Sequence, residues 1–168
     1  DANANDVGDL TQARGQIAGH SSKLHGYTSG GYPATPGTEA NIIDKFPFAV
    51  DTNATDVGDL TQARLGNGGQ SSESFGYSTG GYVTPPVGAS VNTIDKFPFA
   101  VDTNATDVGD MTTTSHFLSG HSSTTSGYNS GGTGDTSRIE KFPFATDTNA
   151  TDIGNLQTGR RSAAGTQV

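Results

Sequence analysis

The chain is built on a repeated segment, Asp51-Thr-Asn-Ala-Thr-Asp-Val-Gly-Asp59. The same nine residues start again at Asp102, and a copy with two substitutions runs from Asp147 to Asn155. A more diverged copy opens the sequence, from Asp1 to Asp9. Self-similarity at a fixed spacing of about 20 to 50 residues is the signature of a repeat architecture.

Two further phrases recur between these copies. Gly-Tyr-x-x-Gly-Gly starts at Gly26, Gly76 and Gly127, and Lys-Phe-Pro-Phe-Ala starts at Lys45, Lys96 and Lys141. The 168 residues therefore form one repeat domain with three units, 1–50, 51–101 and 102–146, and a partial unit, 147–168. Because the last unit is incomplete, we expect either a fragment of a longer array or one part of a ring formed by several chains.

Composition excludes a helix-packed core. Leu, Ile, Val and Phe make up only 29 of the 168 residues, whereas Gly, Ser and Thr make up 64. No stretch of 18 apolar residues is present, so we expect no membrane insertion. With 17 acidic and 9 basic residues the chain carries a net charge of −8, which argues against a nucleic-acid partner.

Alternation of side chains indicates strands. Between Thr93 and Ala100, an extended chain places Phe97 and Phe99 on one face and Lys96 on the other. The same parity holds in the other units, so the phenylalanine pairs and the repeated tyrosines are the expected core, with the tyrosines packed between units: Phe46, Phe48, Phe97, Phe99, Phe142, Phe144, Tyr27, Tyr77 and Tyr128. We expect an all-β chain with about four short antiparallel strands per unit.

The order of the phrases resembles the kelch repeat of β-propellers. An Arg, a small-residue strand and Tyr-x-x-Gly-Gly start at Arg14, Gly19 and Tyr27, and again at Arg64, Gly69 and Tyr77. The third unit keeps Gly120 and Tyr128 but has Ser115 in place of the Arg, which returns as Arg160. The kelch Trp is absent, and Val57, Val108 and Ile153 stand near its place. The resemblance implies three full propeller blades and a partial one, too few for a closed ring of about four to eight blades.

The wording of the repeats is also similar to that of repeat proteins of marine bacteriophage virions, in Asp-Lys-Phe-Pro-Phe-Ala and Asn-Ala-Thr-Asp-Val-Gly-Asp-Leu-Thr. This resemblance implies a non-enzymatic structural or surface-binding module, a fibre or decoration component, in a virion or extracellular. Its partners would be other copies of itself, other virion or filament proteins, or a cell-surface glycan. Two alternatives stay open: a secreted, glycosylated filament or adhesin, and a fragment of an enzyme propeller of the glycosidase or oxidase type.

Two kinds of site have candidates in the repeated Asx-rich turn. Asn53, Asn104 and Asn149 each begin an Asn-Ala-Thr glycosylation sequon, although Asn and Thr also build turns without any glycan. Asp51, Asn53, Thr55 and Asp59 have the alternate spacing of a calcium loop, but Asp56 and Gln62 stand where such a loop needs Gly and Glu. We therefore predict turn chemistry and no metal.

The loops that follow the glycine pairs differ most between units. They run from Tyr32 to Ala40, from Tyr82 to Val91 and from Thr133 to Ser137. Recognition residues concentrate on loops that a rigid scaffold holds, so Tyr32, Tyr82 and Thr133 are the candidate ligand contacts. We predict no catalytic residue and no cofactor, since Ser and Asp occur throughout the chain and no Ser-His-Asp set can be singled out.

Overall fold

The computed structural model describes residues 3–33, 39–86 and 88–166, and these residues form strands without any helix. The strands are β1 (Arg14–Gly15), β2 (Ala18–Ser21), β3 (His25–Ser29), β4 (Tyr32–Pro33), β5 (Ile42–Pro47), β6 (Thr55–Asp59), β7 (Gly68–Ser71), β8 (Phe75–Thr79), β9 (Tyr82–Val83), β10 (Ala89–Ser90), β11 (Thr93–Pro98), β12 (Thr106–Asp110), β13 (Ser119–Ser122), β14 (Ser126–Ser130), β15 (Arg138–Pro143) and β16 (Thr151–Asn155). The prediction of an all-β chain is confirmed.

Three four-stranded antiparallel sheets carry the architecture. The first sheet has the order β2-β3-β5-β6, the second β7-β8-β11-β12 and the third β13-β14-β15-β16. Two-stranded pairs, β1 with β4 and β9 with β10, stand beside the first two sheets. Each sheet has a register shift at the same place in its third strand, between Ile43 and Asp44 and at the equivalent positions of β11 and β15. Equal sequence phrases therefore adopt equal local structure.

The sheets are offset from the sequence repeats. The last strand of the first sheet, β6, belongs to the Asp51 segment that begins the second sequence unit. Residues 3–9 lie against the first sheet as β6 lies against the second. Asp9 N–H donates to Asn53 Oδ1, as Asp59 N–H donates to Asn104 Oδ1. Each structural unit therefore runs from a glycine-rich strand to the following Asx-rich segment.

Backbone contact joins neighbouring sheets along their first strands. β7 packs against both β2 and β13. A Cβ atom at Gly69 would overlap the carbonyl oxygen of Gly19, and one at Gly120 would overlap that of Gly69. Glycine is needed at both positions because no side chain fits between two strands at this separation.

Two aromatic clusters fill the spaces between sheets. Tyr27, Ile43, Leu60, Phe97 and Ala105 form the first, and Tyr77, Ile94, Met111, Phe142 and Ala150 form the second. Phe99 and Phe144 are partly buried against them. Each cluster takes its tyrosine from one sheet and its phenylalanines from the next.

Phe46, Phe48 and Tyr128 were expected in the core, but none of them is fully buried. Phe48 is 57% exposed and Phe46 is only half-buried, because no preceding sheet covers them with a tyrosine. Tyr128 is likewise half-buried, because no further phenylalanine pair packs on it among the described residues. The core position is therefore filled only where a sheet has a neighbour on that side.

Candidate functional site

The contacts between consecutive sheets repeat almost atom for atom. The Tyr27 ring stacks on Phe99 with centroids 4.7 Å apart, and the Tyr77 ring stacks on Phe144 at 4.8 Å. Lys45 Nζ lies 2.6 Å from Asp102 Oδ1 at the first interface, and Lys96 Nζ lies 2.5 Å from Asp147 Oδ1 at the second. The repeated tyrosines and lysines thus connect consecutive sheets.

A buried ion pair braces each of the first two sheets. Arg14 Nη2 lies 2.9 Å from Asp44 Oδ2, and Arg64 Nη1 lies 3.0 Å from Asp95 Oδ2, with all four side chains fully buried. Thr61 adds a hydroxyl hydrogen bond of 2.7 Å to Asp95. Desolvation lowers the pKa of both guanidinium groups, and the facing carboxylate opposes that shift. The repeated arginine therefore has a structural role in the first two sheets.

The third sheet has an ion pair in the same region, but different residues form it. Ser115 replaces the arginine, and Glu140 replaces the aspartate. Arg138 approaches from β15, with its Nη1 3.9 Å from Glu140 Oε1 and 2.8 Å from the Thr112 hydroxyl. Cation, carboxylate and threonine are all retained, although the cation now comes from another strand.

Polar side chains also line the row of first strands. Nδ1 of His20 donates to the Gln70 carbonyl at 3.1 Å, which leaves Nε2 to accept from the Ser29 hydroxyl at 2.8 Å. Gln70, in the equivalent position one sheet later, donates to Thr79 Oγ1 and to Asn129 Oδ1. Burial lowers the pKa of His20 to about 4, so the imidazole is neutral and structural at ordinary pH.

Residues from segments that differ between units meet at one edge between the second and third sheets. The Tyr82 and His116 rings lie 5.1 Å apart. His116 Nδ1 lies 2.9 Å from the Ser90 hydroxyl and 2.7 Å from the Thr133 hydroxyl. Burial, assisted by the charge of Arg161, lowers the pKa of His116. We call Tyr82, Ser90, His116 and Thr133 the edge cluster.

The edge cluster has groups that a ligand could use. With both hydroxyls held at Nδ1, Nε2 of His116 faces no protein partner among the residues described, and the Tyr82 ring is only half-buried. An aromatic face beside a hydrogen-bonding imidazole and hydroxyls suits a polar, partly apolar ligand such as a sugar.

Part of the edge cluster was predicted from the sequence. Tyr82 and Thr133, predicted as ligand contacts, lie together there. Tyr32 lies apart, in β4 beside Gly15, with 38% of its surface exposed. Residues 34–38 and residue 87 of the predicted loops lie outside the described residues. His116 was missed as a ligand contact, although its place directly after the third-unit Ser115 sets it apart from Gly15 and Leu65.

The sequon asparagines have a structural role between consecutive units. Oδ1 of Asn53, Asn104 and Asn149 accepts the N–H of Asp9, Asp59 and Asp110, respectively. All three asparagines are exposed. Each of these asparagines therefore bonds the backbone of the preceding unit rather than its own turn.

The calcium-like spacing does not produce a convergent site. Thr55 and Asp59 lie at opposite ends of β6, and Asn53 is engaged by Asp9. A five-residue strand separates its ends by about 13 Å, too far for both to reach one ion. Across the described ranges, no three residues among His, Asp and Glu are grouped as metal ligands.

Comparisons with known proteins provide no family assignment. No known protein-family profile matches the chain, and no curated protein is significantly similar to it. Within residues 3–33, 39–86 and 88–166, the structure contains no helix of the length and apolarity that crossing a membrane needs.

Proposed function

We propose that this chain is a segment of a kelch-like β-propeller, with each four-stranded sheet serving as one blade. Three features support the proposal: the strand order of each sheet, the side-by-side first strands, and the equal interfaces between sheets. We further propose a non-enzymatic structural or surface-binding role, as a virion fibre or decoration component or as an extracellular module.

The contrast between the repeated residues, which pack the sheets, and the edge cluster at the surface carries this proposal. Repeated residues such as Tyr27, Arg64 and Lys96 are engaged in packing and ion pairs. His116 and Thr133, which differ from their equivalents in the other units, meet Tyr82 in the edge cluster. A rigid scaffold with one variable exposed edge is what a recognition module needs.

A binding assay with two matched tyrosine variants tests the surface-binding role. Tyr82→Ala removes the aromatic face of the edge cluster, and Tyr32→Ala changes the equivalent residue away from it. On an array of cell-surface glycans, we expect the wild-type protein and Tyr32→Ala to bind the same sugars and Tyr82→Ala to lose about tenfold or more in affinity. Equal binding by all three proteins, or no binding by any, would contradict a glycan site at this edge.

A secreted, glycosylated filament is the second candidate. It is favoured by the exposure of Asn53, Asn104 and Asn149, whose side-chain oxygens accept hydrogen bonds from the preceding unit. Intact-mass measurement of the protein from its natural source separates the two candidates. Added sugar mass that falls by one glycan in an Asn104→Gln variant made in the same host supports the secreted filament, and an unmodified mass in purified virus particles supports the virion component.

A further inference from the structure

We propose that the edge cluster is one end of a longer site, whose ligand is an uncharged oligosaccharide chain that continues past Phe117 into a neighbouring groove. The inference rests on the proposed glycan-binding role and deepens it, because it names the class of ligand and the second half of the site. Three observations support it: the groove, a half-buried aromatic ring, and a backbone conformation that does not suit this ring.

The groove crosses the starts of the first strands of the three sheets. It has a volume of about 420 Å³, and the residues that directly precede β2, β7 and β13 line it, together with their repeat equivalents in the partial unit. A volume of this order is typical of ligand sites in proteins. Six side chains determine its chemistry: Gln16, Ile17, Asn67, Phe117, Leu118 and Ser162.

The lining suits an uncharged ligand with both apolar and polar surface. Ile17, Phe117 and Leu118 are half-buried and supply apolar surface, while Gln16 and Ser162 are exposed. None of the lining residues in the described part of the chain is charged, and the net charge of −8 repels an acidic polymer. A sugar ring has an apolar face and a rim of hydroxyls, which match aromatic or aliphatic surface beside amide and hydroxyl groups.

The groove positions differ between units, although the strands beside them do not. The pair of residues before the first strand is Gln16-Ile17 in the first sheet, Gly66-Asn67 in the second and Phe117-Leu118 in the third. The strand that follows has glycine as its second residue and serine as its fourth in every sheet. Variable side chains on a constant scaffold are typical of recognition surfaces.

The main chain holds these positions without help from the side chains. Gly66 N–H donates to the Gln16 carbonyl at 2.9 Å, and Phe117 N–H donates to the Gly66 carbonyl at 2.6 Å. Ser162 N–H donates to the Phe117 carbonyl at 2.9 Å. All four residues have a left-handed backbone conformation, with φ between 53° and 65°. Because backbone groups make this contact between units, the side chain is free to serve another purpose.

Phe117 is a costly residue at this position. A bulky side chain rarely adopts a φ of +57°, and Gly66 shows that the fold accepts glycine, which takes this conformation most easily. The Phe117 ring packs on Gly66 and on the His116 ring, but it is only half-buried, so burial does not fully offset the backbone cost. Strained residues of this kind are concentrated at functional sites.

Phe117 also connects the groove to the edge cluster. Its ring lies 4.7 Å from the His116 ring, which lies 5.1 Å from the Tyr82 ring. Each of these centroid separations is close to the length of one sugar residue in a chain. A sugar bound at Tyr82 and His116 would therefore place the next residues of its chain over Phe117 and in the groove.

Isothermal titration calorimetry with sugar chains of increasing length tests the continuous site. The probes are uncharged chains of glucose, galactose, mannose and N-acetylglucosamine, from the single sugar to the hexasaccharide, with galacturonic acid chains as the acidic counterpart. For at least one uncharged series, we expect the affinity of the wild-type protein to rise by about tenfold or more with chain length. Phe117→Gly should lose this rise and bind the single sugar as the wild type does.

Two controls separate ligand contact from folding. Phe117→Tyr keeps an aromatic ring and should keep the rise in affinity with chain length. Phe117→Gly relieves the backbone, so its circular dichroism and its urea midpoint should stay close to those of the wild type. A large fall in that midpoint would overturn the inference, because the ring would then be needed for the fold.

The outcomes distinguish this inference from the proposed function. Single-sugar binding that Tyr82→Ala weakens, with no gain for longer chains or a gain that Phe117→Gly keeps, overturns the continuous site and leaves the edge cluster as a sugar site. A gain found only with galacturonic acid chains overturns the uncharged class of ligand. Failure to bind any chain of any length contradicts both proposals.

Discussion

Acidification should destabilise this protein through His20, by an amount that the structure sets. The folded chain holds the His20 imidazole between Gln70 and Ser29, against the Phe97 ring at 5.1 Å, with its pKa lowered from 6.5 to about 4. Because the unfolded chain binds a proton that the folded chain refuses, stability present above pH 6.5 falls as the pH drops toward 4. At about 1.4 kcal/mol per pKa unit, the loss is about 3 kcal/mol.

The matched control comes from the second unit. Gln70 fills the position of His20 with a side chain that does not titrate, so His20→Gln should fold and lose this component of the pH dependence. Urea unfolding of both proteins from about pH 7 down to about pH 4 isolates it, because the other titrating groups are common to both. A difference in unfolding free energy between the two proteins that stays constant over this range would refute the burial of a neutral His20.

Three further substitutions test the contacts between and within the sheets, with the free energy of unfolding measured in urea. Gly69→Ala should cost about 3 kcal/mol or more, because its methyl group meets a backbone carbonyl, whereas Gly15→Ala, whose methyl group meets no atom within 4 Å, should cost under about 1 kcal/mol. Arg64→Met should cost about 3–5 kcal/mol by leaving Asp95 buried without a cation, and a second change, Asp95→Leu, should recover most of it. Tyr77→Ala should cost about 3–5 kcal/mol through the cavity that it leaves between two phenylalanines. A cost as small as that of Gly15→Ala for either of the last two variants would contradict the packing described.

Much of the fold could be predicted from the sequence because the repeats are nearly exact. The alternation around Phe97 and Phe99 gave the strand, its core face and the side of Lys96. The exposure of Phe48 could not be predicted from the same alternation. Local pattern fixes which face a side chain takes, but burial depends on whether another sheet covers that face, and three equal phrases contain no such information.

The edge cluster was predictable only in part, for a related reason. Loop variation indicated Tyr82 and Thr133, which lie 51 residues apart in sequence. The residue that joins them, His116, belongs to neither loop. Its contact with both depends on how the third sheet sits beside the second, which no single-unit pattern specifies.

The relocated cation of the third sheet defines how such units could be recombined. Ser115 precedes β13, whereas Arg138 and Glu140 lie on β15. A crossover between them with the second unit would either place two guanidinium groups at one carboxylate, or bury an aspartate with no cation at all. Evolution by unit shuffling, and any library that imitates it, therefore has safe breakpoints only outside the stretch from residue 112 to residue 140.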